Sequence, residues 1–99
     1  MVRLVWEFVA RADRVQDFEK HYSNSGAWAE LFRKNAGYRG TVLLRDAENA
    51  RRFLTIDSWD HASAYRAMRE RFAKEHAELD RFCEAFTESE RRVGEFQEP

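Results

Sequence analysis

The chain has 99 residues, 43% of them hydrophobic and 14% aromatic, enough for one domain with its own core over residues 1–99. Charged residues reach 35%, but both signs are interleaved to a net charge of −1, which excludes the basic face that nucleic acid demands. The single cysteine, Cys83, excludes an internal disulfide and a cysteine-based metal cluster. No apolar run approaches the roughly 20 residues of a membrane span. Met1-Val2-Arg3-Leu4 leads straight into a strand without a signal-peptide pattern, so a soluble cytoplasmic protein with no membrane partner is expected.

Val2 to Ala10 alternates as a strand, with Leu4, Trp6 and Phe8 on one face and Val5, Glu7 and Val9 on the other. Asp13 with Gln16 has the spacing of a capping box, and Val15, Phe18 and Tyr22 form the stripe of the helix that follows. Ser23-Asn24-Ser25-Gly26 breaks it before a second helical piece carrying Trp28, Leu31 and Phe32, which Gly37 is expected to end in a left-handed cap. Gly40 to Asp46 is a second strand. The short turn Ala47-Glu48-Asn49-Ala50 returns the chain antiparallel into a third strand ending at Trp59. Asp60 then caps a helix with Tyr65, Met68 and Phe72 inward, and a segment from Lys74 to Phe86 sets His76, Leu79, Cys83 and Phe86 at helical spacing. A charged strand from Thr87 to Phe96 closes the chain.

The order β-α-β-β-α-β predicts an α+β, ferredoxin-like domain: a four-stranded antiparallel sheet with helices on one face. Val42, Leu44, Leu54 and Ile56 are expected to meet the helices together with Leu4, Trp6 and Phe8. The opposite face would show Val5, Val9, Leu43, Phe53 and Trp59 among Glu7, Arg45, Thr55 and Asp57. An open patch of that size calls for a second copy, so a homodimer packed sheet to sheet is expected, forming a dimeric α/β barrel. Glu7, Arg45, Phe53, Asp57 and Trp59 would lie in its interface, with Glu7, Arg45 and Asp57 in an ion-pair network or, alternatively, a polar binding site.

The element order, the run Leu54-Thr55-Ile56-Asp57-Ser58-Trp59 and the following Ala62, Ala64 and Tyr65 resemble the antibiotic biosynthesis monooxygenase family of the dimeric α/β-barrel superfamily. That resemblance implies a cofactor-independent oxygenase of a polycyclic or quinol-like aromatic. It also admits a non-catalytic binder of a small hydrophobic molecule or a haem-binding or haem-degrading protein. The chain departs from the family at Met68, where many members carry a histidine. It lacks the asparagine late in strand one and the tryptophan after strand three that the haem-degrading branch uses, although His76 falls near that branch's iron ligand.

His76 shares its stripe with Leu79 and Cys83, which turns its ring toward the sheet. A neutral imidazole there suits a general base, the alternative being a core histidine bonded to a backbone carbonyl. Tyr65 is the candidate donor to a substrate oxygen, the alternative being an amphipathic residue with its hydroxyl in water. Trp6, Phe8, Trp28 and Phe32, with Met68 and Phe72, are the expected walls for an aromatic ligand, or simply core. His21, His61 and His76 lie on different elements without metal-ligand spacing, and no glycine-rich nucleotide loop occurs, so neither a metal nor a cofactor is expected.

Overall fold

The computed structural model describes residues 1–99. Its elements are β1 (Val2–Ala10), α1 (Val15–Tyr22), α2 (Ala27–Phe32), β2 (Tyr38–Asp46), β3 (Asn49–Trp59), α3 (Ala62–Arg71), α4 (Ala73–Cys83), a 3-10 turn (Glu84–Phe86) and β4 (Thr87–Phe96). The strands form one antiparallel sheet in the order β2-β3-β1-β4. This is the ferredoxin-like arrangement expected from the element order, with the helices packed on one face.

Register decides which side chains meet the helices, because residues directly opposite one another in an antiparallel pair point to the same side. Val2, Leu4, Trp6 and Phe8 stand opposite Trp59, Asp57, Thr55 and Phe53. Thr41, Leu43 and Arg45 of β2 stand opposite the last three of these. Phe53 and Trp59 are fully buried, whereas Val42 and Leu44 are 51% and 46% exposed. The two faces of β2 and β3 are therefore the reverse of the expected ones. Phe53, Thr55, Asp57 and Trp59 lie under the helices, and Val42, Leu44, Leu54 and Ile56 share the open face with Val5 and Glu7. Burying this side places the two largest apolar side chains of β3 in the core.

Two aromatic-rich clusters fill the space between sheet and helices. One centres on Leu4, Phe32, Trp59 and Met68 and the other on Phe8, Phe18, Phe53 and Phe86, with Trp28 and Leu79 packed against both. Met68 is fully buried among them.

The helix ends differ from expectation. Asp13 makes no capping bond; Arg14 occupies the cap position of α1, and Asp13 faces Arg11 at 3.6 Å. His61 rather than Asp60 precedes α3, because Asp60 is held by Arg39 through two hydrogen bonds of 2.6 and 2.8 Å. Gly37 is not left-handed. Its importance is closeness: a Cβ there would sit 2.5 Å from the Ala64 Cβ on α3. The positive φ (+113°) belongs to Gly40, where the β2–β3 register shifts.

Candidate functional site

A cavity of about 230 Å³ opens between the sheet and the helices. Trp6 and Phe8 of β1 lie on its floor, and Trp28 and Phe32 of α2 close one side. His76 of α4 and Tyr65 of α3 reach it from above, so residues far apart in the chain meet at one space. Met68 and Phe72 do not line it. Met68 belongs to the sealed core, and Phe72 sits at the α3–α4 junction, with the Arg71 guanidinium 5.2 Å and the Lys34 ammonium 5.6 Å from its ring.

The His76 ring packs edge-on to Trp28 with centroids 4.9 Å apart, and its backbone N–H donates to the Phe72 carbonyl at 2.8 Å. Neither ring nitrogen takes a protein hydrogen bond, unlike a core histidine tied to a backbone carbonyl. Burial, reinforced by the positive charge of Arg69, holds its pKa below the ordinary imidazole value, while Asp80 opposes the shift. The neutral ring, a base, is thus the form present at neutral pH. On α3, Arg69 donates to the Tyr65 hydroxyl oxygen at 3.1 Å, one helical turn away. That leaves the Tyr65 hydroxyl hydrogen free to donate.

Composition and spacing did not single out the polar floor. Asp57 and Thr55 of β3 and Thr41 of β2 line the same cavity, and the strand pairing that reverses the two faces puts them there. The Thr41 hydroxyl donates to Asp57 Oδ1 at 2.6 Å, and the Thr41 backbone N–H donates to Asn24 Oδ1 at 2.9 Å. The one Thr41 hydroxyl hydrogen is committed to the carboxylate, so Tyr38, hydrogen-bonded to the same oxygen, donates to it. Desolvation pushes the Asp57 carboxyl up to about 6, and the Thr41 bond only partly offsets that. Glu90 of β4 is also raised, first by burial and then by the nearby charges of Asp80 and Glu84.

The residues expected at a dimer interface divide. Glu7 lies on the open face, where Arg52 and Arg91 hold it below the ordinary carboxylate range. Arg45 turns toward the helices, 3.4 Å from Glu19 of α1 and with its guanidinium 5.8 Å from the Phe53 ring. Phe53 and Trp59 are core; Trp59 stacks edge-on against Phe32 and Tyr65 at 5.5 and 5.8 Å. Asp57 belongs to the cavity. The register of β3 thus places all four on the helix side of the sheet rather than on its open face, with Phe53 and Trp59 buried there.

Cys83 is buried, and its thiol is pushed up by that burial, so it packs rather than reacts. No group of three or more histidine, cysteine, aspartate or glutamate side chains is arranged to hold a metal ion. No helix is long and apolar enough to cross a membrane.

Among solved structures the chain is similar to SnoaB, a cofactor-independent oxygenase from Streptomyces nogalater, with a TM-score of 0.73 and 17% identity over 99% of this chain and 92% of that one. A Pseudomonas aeruginosa protein superposes with a TM-score of 0.72 and 16% identity over 99% and 93% of the two chains. A conserved Methanosarcina mazei protein gives 0.74 and 12% over 99% and 92%. Identities this low speak for the fold alone. No curated protein matches the chain in sequence. The sequence profile of the family described as antibiotic biosynthesis monooxygenase matches residues 1–77, a span that holds β1 through α3 and reaches His76 on α4. With the ferredoxin-like fold, that match places this chain in the antibiotic biosynthesis monooxygenase family.

Proposed function

We propose that the chain is a cofactor-independent oxygenase of a small flat aromatic, anthrone-like or quinol-like. The observation that carries this reading is the convergence, on one cavity, of aromatic walls, an unpaired neutral His76 and the Tyr65–Arg69 pair. Its volume of about 230 Å³ lies below that of most drug-sized sites, which favours a few fused rings over a porphyrin. His76 takes a proton from an acidic C–H or O–H of the substrate. The electron pair left behind spreads over the ring system and its oxygen, which the Tyr65 hydroxyl stabilises by donating a hydrogen bond. Dioxygen, the co-substrate, adds to the electron-rich carbon. One of its atoms stays as the new carbonyl oxygen, and the other leaves as water with the two displaced hydrogens.

The reading is tested with isotopically labelled dioxygen and 1,4-dihydroxynaphthalene. One labelled atom in the hydroxynaphthoquinone product, formed faster than without protein, is the expected result. Binding without turnover would instead make the chain a non-catalytic domain that holds a hydrophobic metabolite in the same cavity.

The chain acts as a two-fold dimer through its open sheet face, whose Val42 and Leu44 are 51% and 46% exposed beside Leu54 and Ile56. The Glu7 carboxylate, clasped by Arg52 and Arg91 on that face, adds a paired polar patch. Leu44→Asp places an unpaired charge in this surface and is expected to yield monomers in sedimentation equilibrium at micromolar concentration, where the wild type is dimeric. A wild-type monomer, or a dimer indifferent to Leu44→Asp, would contradict this packing.

A further inference from the structure

Asp57 carries a carboxylate whose two oxygens have different surroundings. Oδ1 accepts the Thr41 hydroxyl at 2.6 Å, and Thr41 is fixed in turn by Tyr38 and Asn24, so the plane of the carboxylate is set. Oδ2 takes no hydrogen bond from the protein, and the residue keeps accessible surface only part-way, on the cavity it lines. A desolvated acceptor with a free lone pair is costly unless a donor arrives from elsewhere. Trp6, Phe8, Trp28 and Phe32 supply apolar walls of the same cavity, and a ligand hydroxyl seated among them would bring that donor.

The remaining charges narrow its chemistry. Asp80 and Glu90 line the same cavity, so three carboxylates face the ligand against the single guanidinium of Arg69. A further negative charge on the ligand would meet like charges at low dielectric. A neutral ring bearing a hydroxyl meets an acceptor instead.

We infer that Asp57 is a specificity-determining residue: its Oδ2 accepts the hydrogen of a ligand hydroxyl, and the cavity selects neutral hydroxylated aromatics over their methyl ethers and carboxylated analogues. This rests on the cavity being the ligand site, as in the function above, but not on turnover. A site built to accept a hydroxyl hydrogen discriminates strongly against analogues that lack it, because the buried acceptor is then left unpaired.

The test is anaerobic titration calorimetry of the wild type with 1,4-dihydroxynaphthalene, 1,4-dimethoxynaphthalene and 1,4-dihydroxy-2-naphthoate, so that no oxidation intervenes. The diol is expected to bind at least tenfold more tightly than either analogue. In Asp57→Asn the advantage over the dimethyl ether falls to about threefold or less, since the amide now offers a donor of its own at that atom. Thr41→Val, which frees the carboxylate to turn, weakens the preference in the same direction and serves should Asp57→Asn fail to fold. Equal binding of diol and dimethyl ether in the wild type overturns the inference, as does a preference unchanged in both variants. Should none of the three bind, the cavity is not the ligand site and the proposed function falls as well; binding without preference removes the role of Asp57 alone.

Discussion

Replacing His76 by alanine is expected to lower the protein-dependent rate of oxygen consumption by about 10²–10⁴-fold, the usual contribution of a positioned general base. The expectation follows from an imidazole with no protein partner on either ring nitrogen, set against the Trp28 edge at 4.9 Å and lining the cavity. Burial holds its pKa below the ordinary value, so the basic form persists on acidification to a pH lower than a free histidine would allow. The acid limb of the wild-type rate should therefore lie at a lower pH than an ordinary imidazole would give. That acid limb should be missing from the residual rate of His76→Ala. An unchanged rate in the variant would remove His76 from the chemistry, and a limb that persists would assign it to another group.

Asp57→Asn is expected to stabilise the protein at pH 8. The folded carboxyl titrates at about 6 against an ordinary value of 3.8, so the native state holds its proton more tightly than the unfolded chain does. Stability is then greatest below the unfolded value and is lost as pH rises through the folded one. A shift of this size corresponds to about 3 kcal/mol. Asparagine keeps the shape and can still accept the Thr41 hydroxyl, but carries no charge to desolvate. Some of the gain is spent on burying the amide, which leaves about 1–2 kcal/mol, or a rise in Tm of about 4–16 °C for a domain of this size. Thermal melts of both proteins between pH 4 and pH 8 read the effect directly. The gap should close toward pH 4, where the wild-type carboxyl is itself neutral. An equal gap at both ends, or a less stable variant at pH 8, would mean that the Asp57 charge is better solvated or better paired than its single hydrogen bond indicates.

Much of the architecture was legible in the chain. The nine residues of β1 occupy the span that their alternation marks, and Ser23-Asn24-Ser25-Gly26 does separate α1 from α2. His76, Tyr65, Trp6, Phe8, Trp28 and Phe32 also meet at one cavity. The side of the sheet was not legible for β2 and β3. Alternation groups Phe53, Thr55, Asp57 and Trp59 together but does not say whether helices cover them. With Leu54 and Ile56 on the other face, both sides looked apolar enough to be core. Only the pairing of Leu4 with Asp57 and of Phe8 with Phe53 settles it. Asp57 was thereby assigned to the dimer-facing side, as part of an ion-pair network or a polar binding site there, when it lies under the helices and lines the cavity. Met68 and Phe72 were misplaced for a different reason: a helical stripe shows that a residue points inward, but not whether it meets empty space or other atoms. Capping was overread at Asp13 and Asp60, whose carboxylates face Arg11 and Arg39 instead. A competing cation is invisible to a motif defined by spacing alone.

The most direct test of the proposed activity is the initial rate of oxygen consumption when the purified protein, in chelator-treated buffer, meets an anthrone or 1,4-dihydroxynaphthalene. Consumption proportional to protein concentration and well above autoxidation is expected, with one dioxygen used per quinone formed. A rate equal to that of buffer alone with both substrates, measured on folded protein, would contradict it.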